Sequence, residues 1–312
     1  MSNAISIQNL SKVYKIPSVL PWRKSRHVAA LSEVQFDCPA EKITCLLGPN
    51  GAGKTTIIKI LAGIVLPDKG DALVLGESIS QAKVAFRNRI GLLTTNERSF
   101  YWRLTGRQNL DFFTALYGIK GREKQERIAE VLSEIGLESE SDKPFRLYSS
   151  GMKQKLSLAR ALIGKPEILL LDEPTAHLDP IARAETHTFI EEKIVKERRA
   201  TVLICTHDMT EAQKLADHIV LLHQGRVLAE GSMESLRKKM QPGYRVVLEF
   251  DRIPKDDWLK GMSVMCFRET DNRIELTVKN LSMVPDIVKA AVQGGGRVAR
   301  CVHQEKSLEE IF

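Results

Sequence analysis

The chain has 312 residues, enough for two domains with their own cores. It is 43% hydrophobic and 27% charged, the balance of a soluble globular protein, and it holds no apolar run of about 18 residues that could cross a bilayer as a helix. The net charge of +7 fits a polyphosphate ligand, an anionic membrane surface or nucleic acid. The excess is spread along the chain, with small clusters at Arg23–Arg26 and Arg237–Lys239, and makes no single basic stripe with interleaved aromatics.

The N-terminal MSNAISIQNL has no basic stretch followed by an apolar core, so no signal peptide is expected. The five cysteines, Cys38, Cys45, Cys205, Cys266 and Cys301, are odd in number and widely spaced, which reads as reduced thiols in a cytosolic protein. Residues 5–14 (ISIQNLSKVY) predict a first strand. Residues 15–28, with Pro17, Pro21 and a basic cluster, predict a loop, and ALSEVQFDC predicts a second strand.

From Lys42 to about Leu236 strands and helices alternate, the signature of a parallel α/β sheet. KITCLL, EILLLD, TVLICT and HIVLLH are its buried-strand runs. Directly after KITCLL comes GPNGAGKTT, Gly48 to Thr56, followed by IIKILAGIV at helical spacing. Gly48, Gly53, Lys54 and Thr55 fit the P-loop pattern G-x-x-x-x-G-K-[ST], and strand, glycine-rich turn, helix is the context that pattern needs. A chain of this length matches the pattern by chance about once in a hundred, before the context is counted. Backbone amides in such a turn curl around a phosphate, and the helix N-terminus behind them is electropositive. Lys54 is placed to reach the β- and γ-phosphates, and the Thr55 hydroxyl to ligate Mg²⁺.

Residues 100–165 interrupt the alternation with helical sequence: NLDFFTALYG, KQERIAEVLSEIGL and GMKQKLSLARALIG. SFYWRLTGRQNLDFF, Ser99 to Phe113, concentrates aromatics there. Phe112 and Phe113 read as core. Phe100, Tyr101 and Trp102 are consecutive and cannot all face one core, so at least one is expected on a partner surface. EILLLDEPT then sets Asp172 and Glu173 at the end of an apolar strand. An ordinary strand end would look the same in isolation. Downstream of a P-loop, the first acid supports Mg²⁺ and the second polarises the attacking water. Beyond MQPG, Met240 to Gly243, the order is strand, helix (DDWLKGM), strand, strand, helix (MVPDIVKAAVQ), strand. This βαββαβ order suggests a small ferredoxin-like domain.

YSSGMKQKLSLARAL, Tyr148 to Leu162, just upstream of DEPT, resembles the signature segment of ABC ATPases. In motif order the resemblance covers residues 5–236 and identifies the chain as similar to nucleotide-binding subunits of ABC transporters. The implied fold is an α/β P-loop NTPase ABC cassette, with a RecA-like core, an antiparallel β subdomain and a helical subdomain at about 97–165. Residues 1–240 would form the nucleotide-binding domain and 241–312 a small α+β accessory domain.

The resemblance also implies roles. Tyr14 would stack on adenine. Gly48, Pro49, Asn50, Gly51, Ala52, Gly53, Lys54, Thr55 and Thr56 would hold the phosphates. Ser149, Ser150 and Gly151, which open a helix, would close the site from a second subunit, with Asp179 of the AHLD segment facing that subunit. Glu173, His207 and Lys54 would be catalytic, with His207 sensing the γ-phosphate. Thr55, Asp172 and Asn96 would hold Mg²⁺. Two departures stand out. The family's usual glutamine after the strand entering the helical insertion is here Asn96, with Thr95 as the alternative alignment. The signature has Tyr148 and Ser150 for the usual Leu and Gly, a mild change at Ser150 only if its φ is negative.

The implied cofactors are ATP and Mg²⁺. The implied partners are transmembrane permease subunits and a second copy of the chain, with no nucleic acid, and the implied location is the inner face of the cell membrane. The wording LTGRQNLDFFTALYG and the ending SLEEIF resemble ABC-2-type exporter ATPases. The alternative is a soluble ABC ATPase acting on nucleic acid or ribosomes, and those resembling proteins usually carry two cassettes or a coiled-coil insertion. A scaffold that binds ATP without turnover is a third reading, disfavoured by Glu173.

Overall fold

The structure, a computed structural model, describes residues 3–16, 26–81, 86, 88–94, 99–176, 178–240, 244–255, 258–259, 262, 264–270 and 272–304. Two compact units divide the chain, Met1–Met233 and Glu234–Phe312.

The first unit starts with two long antiparallel strands, β1 (Asn3–Ile16) and β2 (Arg26–Pro39). With β4 (Lys69–Val74) and β5 (Glu77–Ser78) they form a sheet of order β2-β1-β4-β5. The expected loop is therefore shorter at both ends, because Tyr14, Lys15 and Ile16 pair with Val28, His27 and Arg26.

The second sheet contains β3 (Ile43–Leu47), β6 (Ile90–Leu93), β7 (Ile168–Asp172), β8 (Thr201–Thr206), β9 (His218–His223) and β10 (Arg226–Gly231), in the order β10-β9-β3-β8-β7-β6. All neighbours are parallel except β10, which returns antiparallel on β9. Strands β3, β7 and β8 are buried along their whole length, which is why they read as unbroken apolar runs. Leu46, Leu170 and Leu203 of this sheet share one core with Ile57, Ile58 and Leu61 of α1 (Lys54–Leu61) and with Ile5, Ile7 and Phe36 of the antiparallel sheet.

Between β6 and β7 lie α2 (Gly106–Leu116), α3 (Gly121–Glu134), a 3-10 turn (Phe145–Leu147) and α4 (Ser150–Leu162). Thr105 and Gln108 close a full capping box on α2. Phe100 is buried, stacked on Phe145 at 4.7 Å and edge-on to Phe113 at 5.6 Å. Phe112 corrects the sequence reading. It is exposed and packs edge-on against exposed Tyr101, so the core takes Phe100 in its place. After β7, α5 (Pro180–Thr188) runs on into a π-helical turn, Phe189–Glu197, and α6 (Met209–Leu215) follows β8.

The second unit holds most of α7 (Met233–Met240), then β11 (Tyr244–Arg252), β12 (Val264–Thr270), β13 (Arg273–Val278), α8 (Val284–Gln293) and β14 (Arg297–Gln304). Its sheet is antiparallel throughout, in the order β12-β13-β11-β14. Val246, Leu248, Phe250, Ile274, Leu276 and Val278 pack on Ile287 and Ala291 of α8. The helix expected at DDWLKGM falls largely outside the described residues.

Candidate active site

Parallel pairing brings three strand ends to one edge. Leu47 sits opposite Thr206, and Asp172 opposite Cys205, so the loops after β3, β7 and β8 emerge side by side. Ligands of open α/β sheets bind at this carboxyl edge.

The loop after β3 is wedged between neighbours. A Cβ on Gly48 would lie 2.1 Å from the Leu222 carbonyl oxygen, so no side chain fits there. Gly53 has φ of +110° and immediately precedes α1. It has no side chain to cap the helix, so no side chain competes with an anion at this electropositive end, although the Thr56 amide donates to the Gly53 carbonyl at 3.0 Å. Asn50 and Gly51 are exposed, Pro49 is too, and Ala52 and Thr56 are buried beneath them. Lys54 folds back over the loop, its Nζ donating to the carbonyls of Gly48 at 2.6 Å and Pro49 at 3.1 Å. The same ammonium lies 3.8 Å from Glu173 Oε1.

Thr55 donates its hydroxyl proton to Asp172 Oδ2 at 2.9 Å. Burial, with the adjacent Glu173 charge, holds the Asp172 carboxyl above its ordinary range, against the opposing pull of the Thr55 hydrogen bond and Lys54. Glu173 has φ of +53°, uncommon for a residue with a Cβ, and its amide donates to the Cys205 carbonyl at 2.8 Å. His207 Nδ1 lies 2.9 Å from both Glu173 carboxylate oxygens. The Glu173 carboxylate is thus held between a lysine ammonium and an imidazole.

The other expected residues are placed by different elements. Tyr14 is half-buried on β1 opposite Val28, two residues along β2 from Ala30, whose carbonyl approaches Gly53. Ser149 caps α4 by accepting from the Met152 amide at 3.2 Å. Ser150 is the first helical residue and has no positive φ, so the serine is unstrained. Gly151 faces Ala182 across ordinary van der Waals space, and Gln154 donates to the Pro174 carbonyl. Tyr148 is buried and donates to the Glu140 carbonyl at 2.8 Å. Gly106 leaves the space its hydroxyl needs, since a Cβ there would lie 2.1 Å away. Asp179 is exposed and caps α5 through the amides of Ile181 and Ala182. Asn96 and Thr95 lie outside the described residues.

The ABC transporter family profile matches residues 31–176. The daunorubicin resistance ATP-binding protein DrrA3 of Streptomyces coeruleorubidus is 41% identical over 275 residues, covering 86% of this chain and 84% of that protein. The chain belongs to the ABC transporter ATP-binding family. The Nod factor export ATP-binding protein I of Rhizobium sp. is 36% identical over 270 residues, 86% of this chain and 85% of its own length. The solved dimeric structure of MJ0796, a bacterial ABC transporter cassette, superposes with a TM-score of 0.65 at 25% identity, covering 73% of this chain and 98% of that one. As an ABC cassette the protein binds ATP and hydrolyses it as the motor subunit of a transporter, and a nucleic-acid or ribosomal role is not favoured.

Sequence reasoning named Lys54, Thr55, Asp172, Glu173 and His207, which the structure brings together at the carboxyl edge, but missed the polar residues behind them. Thr175, His187 and Glu211 are buried polar residues joined by hydrogen bonds. Glu211 stands three residues after the Asp208 cap of α6, a spacing that reads as an ordinary surface glutamate at a helix start. Its inward turn carries no local signal.

Proposed function

We propose that the chain is the ATPase of an exporter whose membrane subunits are separately encoded, and that it works as a head-to-tail homodimer. The observation that carries this reading is the meeting of Lys54, Thr55, Asp172, Glu173 and His207 at the carboxyl edge of β3, β7 and β8. The export and resistance functions in the names of its relatives support the direction of transport.

In this reading the loop amides and Lys54 hold the β- and γ-phosphates. Tyr14 packs on the adenine. Glu173 orients and deprotonates the attacking water, while His207 holds the Glu173 carboxylate and contacts the γ-phosphate. Thr55 and Asp172 offer adjacent hard oxygen donors, which suits Mg²⁺, an ion that takes one or two protein ligands and completes its shell with phosphate and water. Bound there with Asn96, it would supply charge neutralisation at the phosphates. Ser149, Ser150 and Gly151 of one copy close over Gly48–Thr56 of the other, with Asp179 beside them. Each site is then composite, and ATP binding closes the dimer while hydrolysis opens it. Among the described residues no helix is long and apolar enough to cross a membrane, so contact with the membrane's inner face runs through the permease.

Glu173→Gln tests the assignment. The amide keeps the shape but is no base, so ATP binding should persist while turnover falls about a hundredfold or more, and a dimer should accumulate with ATP in light scattering. Phosphate release near the wild-type rate would remove Glu173 from this role.

A further inference from the structure

Behind the residues that face the nucleotide lies a polar knot that the hydrolysis reading does not use. Glu211 of α6 is 1% exposed. A carboxylate this deeply buried is costly unless its oxygens are met by donors. Thr175 Oγ1 donates to Oε1 at 2.6 Å and His187 Nε2 lies 3.1 Å from the same oxygen, while the buried Thr206 hydroxyl accepts from the Asp208 amide at 3.0 Å. Burial alone would favour the neutral acid. The hydrogen bonds from His187 and Thr175, with the nearby Thr206 hydroxyl, outweigh it and hold the Glu211 carboxyl below its usual range.

The partners come from three segments. Thr175 is in the turn after β7, two residues past Glu173. Thr206 is the last residue of β8, immediately before His207. His187 is near the end of α5, the helix that Asp179 caps. One helical turn before His187, on the same face of α5, Arg183 Nη1 pairs with Asp208 at 2.8 Å, and Asp208 caps α6. Helix α5 is therefore gripped to α6 at two levels, and the lower grip reaches the turns carrying both Glu173 and His207.

The geometry points to Glu211 as a positioning residue for ATP hydrolysis, tying the helix behind Asp179 to the turn that carries Glu173 and to the strand end that carries His207. This rests on the site assignment proposed above. Glu173 sits at a left-handed φ, a conformation that persists only where the surroundings hold it. Loosening Thr175 frees that turn, and misplacing a reacting group by about 1 Å can cost about a hundredfold in rate. A shift of α5, driven where Asp179 meets a second copy, pulls His187 against Glu211 and is felt at both residues.

The test uses the full chain with four proteins: wild type, Glu173→Gln, His187→Leu and His187→Gln. Glutamine places its Nε2 much as the imidazole does and keeps a donor toward Glu211, whereas leucine fills the space without one. Saturating-ATP turnover, affinity for a fluorescent ATP analogue and melting temperature are measured on each. The expected result is a fall of about tenfold in kcat for His187→Leu, with ATP affinity and melting temperature near wild type, and recovery of most of kcat in His187→Gln. Turnover near wild type in His187→Leu, with Glu173→Gln inactive, overturns the inference alone. A loss of kcat that only tracks a fall in melting temperature and ATP affinity, or that His187→Gln does not relieve, makes the knot purely structural and also overturns it. Turnover retained in Glu173→Gln would overturn the site assignment and the inference with it.

Discussion

Asp172, proposed above to help hold Mg²⁺, is a residue whose charge opposes stability. Its carboxyl is held above the ordinary range mainly by burial and further by the neighbouring Glu173 charge. A folded-state pKa above the unfolded one means the native state binds the proton more tightly. The charged carboxylate therefore costs nothing below the ordinary value of 3.8, where both states are protonated. The cost sets in as pH rises through 3.8 and is complete above the raised folded value. Asp172→Asn removes that charge and keeps an oxygen for the Thr55 hydroxyl. We expect its melting temperature without nucleotide to exceed that of the wild type at pH 7, the gap closing as pH falls toward 4, while ATP turnover is lost. Scanning calorimetry across pH checks this, and a variant less stable than wild type at pH 7 would show that the carboxylate is net stabilising. The signature substitutions are also resolved at this scale. Ser150 needs no left-handed backbone, and Tyr148 finds room for its hydroxyl against Gly106.

At the scale of elements, the segment before α2 splits three consecutive aromatics between two jobs. Phe100 is 4% exposed, between Phe145 and Phe113 and under the Arg160 guanidinium, whereas Tyr101 and Trp102 are 49% and 53% exposed. Phe112 of α2 extends the exposed pair. Exposed large aromatics are frequent interface anchors, and we propose this face for the permease. Trp102→Ala should leave melting temperature and basal ATPase close to wild type and weaken association with the membrane subunit by about 2 kcal/mol. Phe100→Ala should instead cost about 3–5 kcal/mol of stability. Denaturation and pull-down on the two variants separate the roles. Equal destabilisation by both would place Trp102 in the core and retire the docking face.

At the scale of the whole molecule, the second unit has its own sheet, helix and apolar core, and every residue assigned to ATP lies in the first. We propose that residues 1–240 form the nucleotide-binding domain and 241–312 an accessory one. A chain ending at Met240 should then bind a fluorescent ATP analogue with affinity close to that of the full chain. A large loss of affinity, with a broadened unfolding transition, would mean that the C-terminal residues complete the first unit's core.

The sequence by itself determined what is local. The P-loop was legible because strand, glycine turn and helix are contiguous, and the helix start at Ser149 because the cap and its amide lie within three residues. The buried strands were legible because a sheet covered on both faces must be apolar throughout. What only the tertiary structure decided is non-local. The Thr55 to Asp172 contact spans 117 residues and exists because β7 pairs beside β8, and β8 beside β3, in one register. Nothing in FYW tells which ring turns inward, since neighbouring side chains point apart and the choice is made by Phe113 and Phe145. Glu211 is the sharpest case. Its spacing after Asp208 is that of a solvated glutamate, and only the approach of Thr175, His187 and Thr206 from three other segments turns it into a buried carboxylate. Backbone preference acts within a few residues, whereas burial and hydrogen bonding are settled by whatever the fold brings alongside.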